Sequence, residues 1–241
     1  MNSQKLKISE PRDHLRISNK MKTNNSTIKP IMQTLEKHFN FAERTTLNRM
    51  RQEKSPNAFK ILISCLLSLR AKDETTEKIS KELFKTADTP QAILKLPTKK
   101  LEKIIFSTGH YHKKANALKS VSKELITRFN SKVPNTKEEL LSIKHIGPKT
   151  ANIVLNFAFN QPVLPIDTHC NRIPNRLGWV KTKTPEHTEK ELEKILPKKY
   201  WYEFNGIFVL FGKTICVPVS PKCSICPINK YCKKINVKKS R

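Results

Sequence analysis

Apolar positions recur at helical spacing along nearly all of the chain from Lys29 onward. Ile31, Leu35, Phe39 and Phe41 open a first helix. Residues 58–69 are apolar on almost every face, the pattern of a helix buried on most sides. Asp73 then reads as the N-cap of an amphipathic run over 76–84. Shorter helical stretches follow over 89–96 and 98–105. A longer helix covers 114–129, with Ala117, Val121, Leu125 and Ile126 on one stripe. Thr136 caps a helix over 137–143, and Gly147-Pro148 opens another that runs to Phe159, proline being tolerated in a first helical turn. Helices over 169–177, 185–196 and 199–212 complete the series, with Pro174 expected to kink or delay the first of them. Residues 162–166 are the one β-like stretch and are too short to found a sheet. No repeat of fixed period is present. The pattern predicts an all-α protein.

Composition agrees, with only 5 glycines in 241 residues. The longest apolar stretch, 61–69, falls far short of the roughly 20 residues of a membrane helix. Residues 1–10 carry charges with no apolar core behind them, so no secretory signal is expected. The expected location is the cytoplasm or nucleoid, with nucleus or organelle left open, and no membrane partner. Residues 1–29 lack a sustained period and are expected to be a disordered basic tail, with Met21 an alternative start. Charge changes the picture most. Forty-seven basic residues against 20 acidic give +27. Residues 1–30 and 233–241 carry +5 each, which leaves +17 on 31–232. A basic body of this kind points to a polyanion such as nucleic acid.

Four of the six cysteines crowd into Cys216-x6-Cys223-x2-Cys226-x5-Cys232. Such clustering without a signal reads as a metal site in a reducing compartment rather than as disulfides. Zinc accepts four thiolates, but zinc ribbons show two CxxC pairs and only one is present here. The long-short-medium spacing fits a cubane cluster better. Its default role is structural, a staple for a segment without a core of its own.

A second motif is Ser142-Ile143-Lys144-His145-Ile146-Gly147-Pro148-Lys149-Thr150. A helix, a tight hairpin and a new helix N-terminus present unpaired N–H groups that suit a phosphate without reading sequence. Lys149 lies in the first helical turn, where the dipole favours its neutral, nucleophilic amine. Pro165-Ile166-Asp167-Thr168-His169 begins another helix eighteen residues after Lys149 in the sense that Asp167 can cap it.

The hairpin with its lysine, the Ile-Asp-Thr-His segment and the four cysteines, in that order, resemble the endonuclease III family of helix-hairpin-helix DNA glycosylases. The likeness runs over about 31–232. It implies two helical domains: a six-helix barrel with the hairpin over 51–161, and a domain from 30–50 and 162–232 that carries a [4Fe–4S] cluster on Cys216, Cys223, Cys226 and Cys232. Residues 233–241 are then a second basic tail. The resemblance assigns Lys149 as nucleophile and Asp167 as catalytic carboxylate of a bifunctional glycosylase and AP lyase. Its substrate would be oxidised pyrimidines in double-stranded DNA, and its product would arise by β-elimination 3′ to the abasic site. A monomer is expected. Contacts to DNA are expected from Lys144, His145, Ile146, Gly147, Arg70, His110, His169 and Lys222.

Four positions depart from the family pattern. Lys144 and His145 replace the Pro and first Gly of the hairpin, and histidine tolerates left-handed backbone better than bulkier residues do. Arg70 and His110 stand where the family fills the gap left by the extruded base with other residues, which bears on base preference. A G·T or G·U mismatch glycosylase, an adenine glycosylase and a non-catalytic cluster-bearing DNA-binding protein are the competing readings. Lys149 argues against the first two, and Lys149 with Asp167 against the third.

Overall fold

The computed structural model describes residues 26–39, 47, 50 and 56–241. Eleven α-helices are described: α1 (Ile28–His38), α2 (Ala58–Ser68), α3 (Asp73–Thr86), α4 (Pro90–Lys95), α5 (Thr98–Ile105), α6 (Tyr111–Phe129), α7 (Lys137–Leu141), α8 (Pro148–Phe159), α9 (Thr168–Leu177), α10 (Pro185–Ile195) and α11 (Trp201–Thr214). No strand occurs among the described residues, and 162–166 has no regular secondary structure. No described helix is long and apolar enough to cross a membrane.

The helices bury two large cores. One gathers α2 to α8 around residues such as Leu62, Leu67, Leu83, Leu101, Leu118 and Val154. The all-round apolarity of α2 has its reason here: Phe59 and every residue from Ile61 to Leu67 are buried, with α8 packed alongside. Each buried Leu or Ile contributes about 1.5–3 kcal/mol. The second core joins α1 to the C-terminal helices through Ile31, Leu35, Ile173, Phe204 and Phe208. Both chain ends thus build one unit and the middle builds the other. Ties between the units include Lys137 to Glu189 at 2.8 Å and the ion pair of Lys213 with Asp73.

Several expectations change. Asp73 does not cap α3; Lys72 holds that position without a side-chain bond, and Asp73 turns to Lys213 instead. The buried stripe of α6 is Ala115, Leu118, Val121 and Leu125, and the helix starts three residues early, at Tyr111. Helix α7 stops at Leu141, two residues short, as the chain tightens into the hairpin. Helix α9 starts at Thr168 and continues through a buried Pro174, so no late start occurs. Residues 198–200 form a 3-10 turn ahead of α11. Of the expected N-terminal tail, 1–25 lies outside the described residues, but Ile28 is buried in α1 and Thr27 accepts a hydrogen bond from Trp179 Nε1. The C-terminal tail is not free either. Ile235 N–H donates to the Arg176 carbonyl, Arg241 N–H to Pro221, and Ser224 N–H to Arg241.

Candidate active site and cluster pocket

Asp167 is positioned from both sides. Its Oδ1 accepts the N–H groups of His169 at 2.9 Å and Cys170 at 2.8 Å, which caps α9. Ahead of it, residues 163–165 are held by three buried asparagine amides. Asn152 donates to Leu164, Asn156 to Val163, and Asn205 to Pro165. These asparagines sit at apolar positions of α8 and α11 and carry no sequence signal beyond being polar in a buried stripe.

Lys149 lies in the first turn of α8 and is half-buried. It lines two adjoining cavities, and Asp167 and Thr168 line the same two. One of these also holds Leu69, His145, Gly147 and Glu186. The other holds Arg70, Asp73, His169 and Lys213. The Lys213 ammonium is engaged by Asp73.

The hairpin is braced by residues that sequence reasoning missed. Glu124 accepts the Lys144 N–H with one carboxylate oxygen and Arg128 with the other, and Arg128 reaches the Ser142 carbonyl and hydroxyl. His145 takes φ +71°, the left-handed turn that its place required. Gly147, by contrast, has φ −97° and open space where a Cβ would stand, so the fold itself does not demand glycine there. Close approach of a ligand backbone does fit that room. The first intrahelical bond of α8 runs from Ala151 N–H to Gly147, so the N–H groups of Lys149 and Thr150 precede it. The Ile146 side chain is in the core and its N–H bonds Ile143, so it anchors the hairpin.

His169 faces inward. Its ring packs against Gly212, where a Cβ would collide with it, and its Nδ1 pairs with Arg172 Nη2 at 3.1 Å. Burial lowers its pKa, with Arg172, Lys213 and Lys149 adding to the effect against Asp167. Arg172 can only donate, so Nδ1 accepts and the ring N–H is on Nε2. Arg172 also donates to the Gly212 and Cys216 carbonyls, and Arg176 to Cys216 Sγ, Val217 and Pro218. Helix α9 thus carries Asp167 at one end and braces the first cysteine with the other.

Cys216, Cys223, Cys226 and Cys232 line one pocket with Ile173, Phe211, Ile215 and Ile228. Lys222 borders it too, and its N–H is bonded to Ile215. Val237 of the C-terminal segment closes the pocket. Burial pushes Cys226 up to about 11, and the neighbouring thiols push the same way. Four thiolates gathered here need a cationic centre to offset them. Among the described residues no three of His, Cys, Asp or Glu converge tightly enough for a single ion. One tetrahedral zinc would need sulfurs within about 4 Å of one another. A cubane spreads its ligands over four irons and suits this set. The Arg176 guanidinium on Cys216 Sγ and the Lys234 N–H on Cys232 Sγ are the hydrogen bonds that thiolate ligands attract.

The comparisons agree with this geometry. The family profile described as HhH-GPD superfamily base excision DNA repair protein matches residues 63–198. The iron-sulfur binding domain of endonuclease III matches 216–232. Endonuclease III of Thermotoga maritima is 45% identical over 182 residues, 76% of this chain and 85% of that protein. A trapped endonuclease III–DNA covalent intermediate superposes with a TM-score of 0.77 at 31% identity, over 87% of this chain and 96% of the other. A thermostable thymine-DNA glycosylase, 22% identical with a TM-score of 0.75, covers 90% of this chain and 97% of its own, and shares the fold alone. The helical architecture and the paired site define a helix-hairpin-helix base excision repair protein. Within that class the chain belongs to the endonuclease III family. It is an enzyme, a DNA glycosylase with AP lyase activity, and it carries a [4Fe–4S] cluster, whose binding domain matches the segment that spans the four clustered cysteines.

Replacing Cys226 with Ser is expected to abolish the brown absorbance near about 400 nm that such a cluster gives and to lower Tm, because a metal centre contributes its binding free energy to the fold that holds it. Absorbance, iron and sulfide assays check it. Stoichiometric zinc without iron in the natively purified protein would refute the cluster.

Proposed function

We propose that Lys149 is the nucleophile and Asp167 the catalytic carboxylate, and that the substrate is an oxidised pyrimidine, or an abasic site, in double-stranded DNA. The observation that carries this reading is that both side chains line the same two cavities, between the two cores. As the damaged base leaves C1′, positive charge grows on the sugar, and the Asp167 carboxylate opposes it. Asp167 also takes the proton that the Lys149 amine sheds as it bonds to C1′. Opening of the sugar gives an iminium, which acidifies the C2′ proton. Loss of that proton forms the C2′–C3′ double bond and expels the 3′ phosphate. The base has to leave the stack first, since a duplex shields C1′.

Duplex DNA would lie across the cleft between a barrel taken as 51–161 and a cluster domain formed by 30–50 and 162–232, the latter extended by the packed 233–241. The hairpin N–H groups, Gly147, and the exposed Lys144 and His145 would meet phosphate. Arg70 and His110 would meet the bases, and Lys222 the flanking backbone. His169 would shape the cavity wall rather than touch DNA. The protein would act as a monomer. A panel of duplexes carrying thymine glycol, dihydrouracil, a G·T mismatch or an abasic site tests the substrate. Base release from the first two, with cleavage at all but the mismatch, is expected. Release confined to the mismatch would make the chain a mismatch glycosylase.

A further inference from the structure

Lys114 is a lysine almost withdrawn from solvent, 7% exposed, on the inner face of α6. Its ammonium donates to the Leu67 carbonyl and to the Thr108 carbonyl, each at 2.8 Å. Its own N–H donates to the His110 carbonyl at 3.0 Å. Burial lowers its pKa to about 8, so the fold holds this cation against a desolvation penalty.

The two acceptors belong to turns far apart in sequence. Leu67 is at the end of α2, where carbonyls lack intrahelical partners. The chain then passes through Leu69, 42% exposed, to Arg70 at φ +57°. Thr108 ends a 3-10 turn, after which Gly109 has φ +69° and His110 φ +49°. Left-handed backbone at Arg and His persists only where the surroundings impose it. Because one ammonium bonds both carbonyls, the two oxygens stand within two hydrogen-bond lengths of each other, and the two turns that begin just beyond them share one anchor point. Leu69 and Arg70 line the cavities that contain Lys149 and Asp167.

We propose that Lys114 is a positioning residue that binds the Leu69–Ala71 and Gly109–His110 turns into one rigid lip of the catalytic cleft, so that Arg70 and His110 press on the duplex as a unit. The inference rests on the reading that the substrate base is drawn out of the stack, and it assigns the residue that makes the two turns act together. The ammonium touches neither sugar nor base; it acts through the turns it holds. A cation suits the task because both acceptors are carbonyl dipoles aimed at one point, and an apolar side chain of similar length offers them nothing.

Lys114→Met keeps the length of the stem and removes the donors. Unchanged far-UV circular dichroism and cluster absorbance establish that the variant is folded. Three readouts follow in single-turnover experiments: release of thymine glycol from duplex, fluorescence of a 2-aminopurine placed beside the lesion, and borohydride trapping at an abasic site facing a gap, where no base has to be extruded. Excision from duplex should fall about ten- to a hundredfold, the effect of displacing positioned groups by an ångström. The 2-aminopurine signal should fall with it, while trapping at the gap proceeds near the wild-type rate. An equal loss on both substrates, or an undiminished unstacking signal, would overturn the inference. If Lys114→Met does not fold, Arg70→Ala, His110→Ala and the double variant supply the same test in the native background. One lip predicts strongly non-additive losses, whereas independent, multiplying losses refute it. Wild-type protein that released no lesion base at all would overturn the parent reading and this inference together, an outcome separate from any difference between variants.

Discussion

Lys149→Ala is expected to abolish both base release and strand cleavage, by about four to six orders of magnitude, the scale seen when a covalent nucleophile is removed. Two lysines line the cavities beside Asp167, and the structure separates them: Lys213 is engaged by Asp73, whereas Lys149 lines both cavities at the start of α8. Duplex binding should stay close to wild type, because the hairpin is braced by Glu124 and Arg128 and its N–H groups do not depend on the Lys149 side chain. Chromatography of released base, a denaturing gel and anisotropy on undamaged duplex check the three parts. Cleavage of abasic duplex at the wild-type rate would place the nucleophile elsewhere.

Asp167→Asn should slow turnover on lesion-bearing duplex by about 10²–10⁴-fold, the range of a positioned acid–base group. Its Tm should not change. Asparagine caps a helix about as well as aspartate, and an amide oxygen can keep the bonds from His169 and Cys170 N–H. Asp167→Ala loses the cap as well and should be less stable by about 1 kcal/mol. The pair separates chemistry from capping: a near-normal rate in the asparagine variant would reduce Asp167 to a cap.

Most helices were legible because their signals are local. Thr89, Thr136 and Thr184 each cap the helix that follows, with Pro90 and Pro185 in the first turns after two of them. Lys149, Asp167 and the cysteines were legible as an ordered set, since each motif is short and its spacing is fixed by the chemistry. The parts that escaped are long-range. Lys114 reads as one lysine among many, and only the return of Thr108 against Leu67 makes it a buried tie. Asp73 looks like a cap until Lys213, 140 residues away, claims its carboxylate. Ile146 sits among hairpin residues that face outward, yet the hairpin needs one apolar side chain to pin it to the barrel. The basic character of 233–241 suggested a free tail, but Val237 and the Arg241 backbone find partners around the cluster pocket that charge arithmetic does not reveal.

In the proposed mechanism one lysine, in the cavities it shares with one carboxylate, displaces the base and opens the sugar through a covalent iminium. Borohydride added to the native protein with an abasic duplex tests it most directly, with the trapped adduct digested and its modified peptide sequenced by mass spectrometry. A one-to-one adduct on Lys149 is expected. An adduct on Lys213 or another lysine, or base release from thymine glycol duplex with no adduct at all, would contradict it.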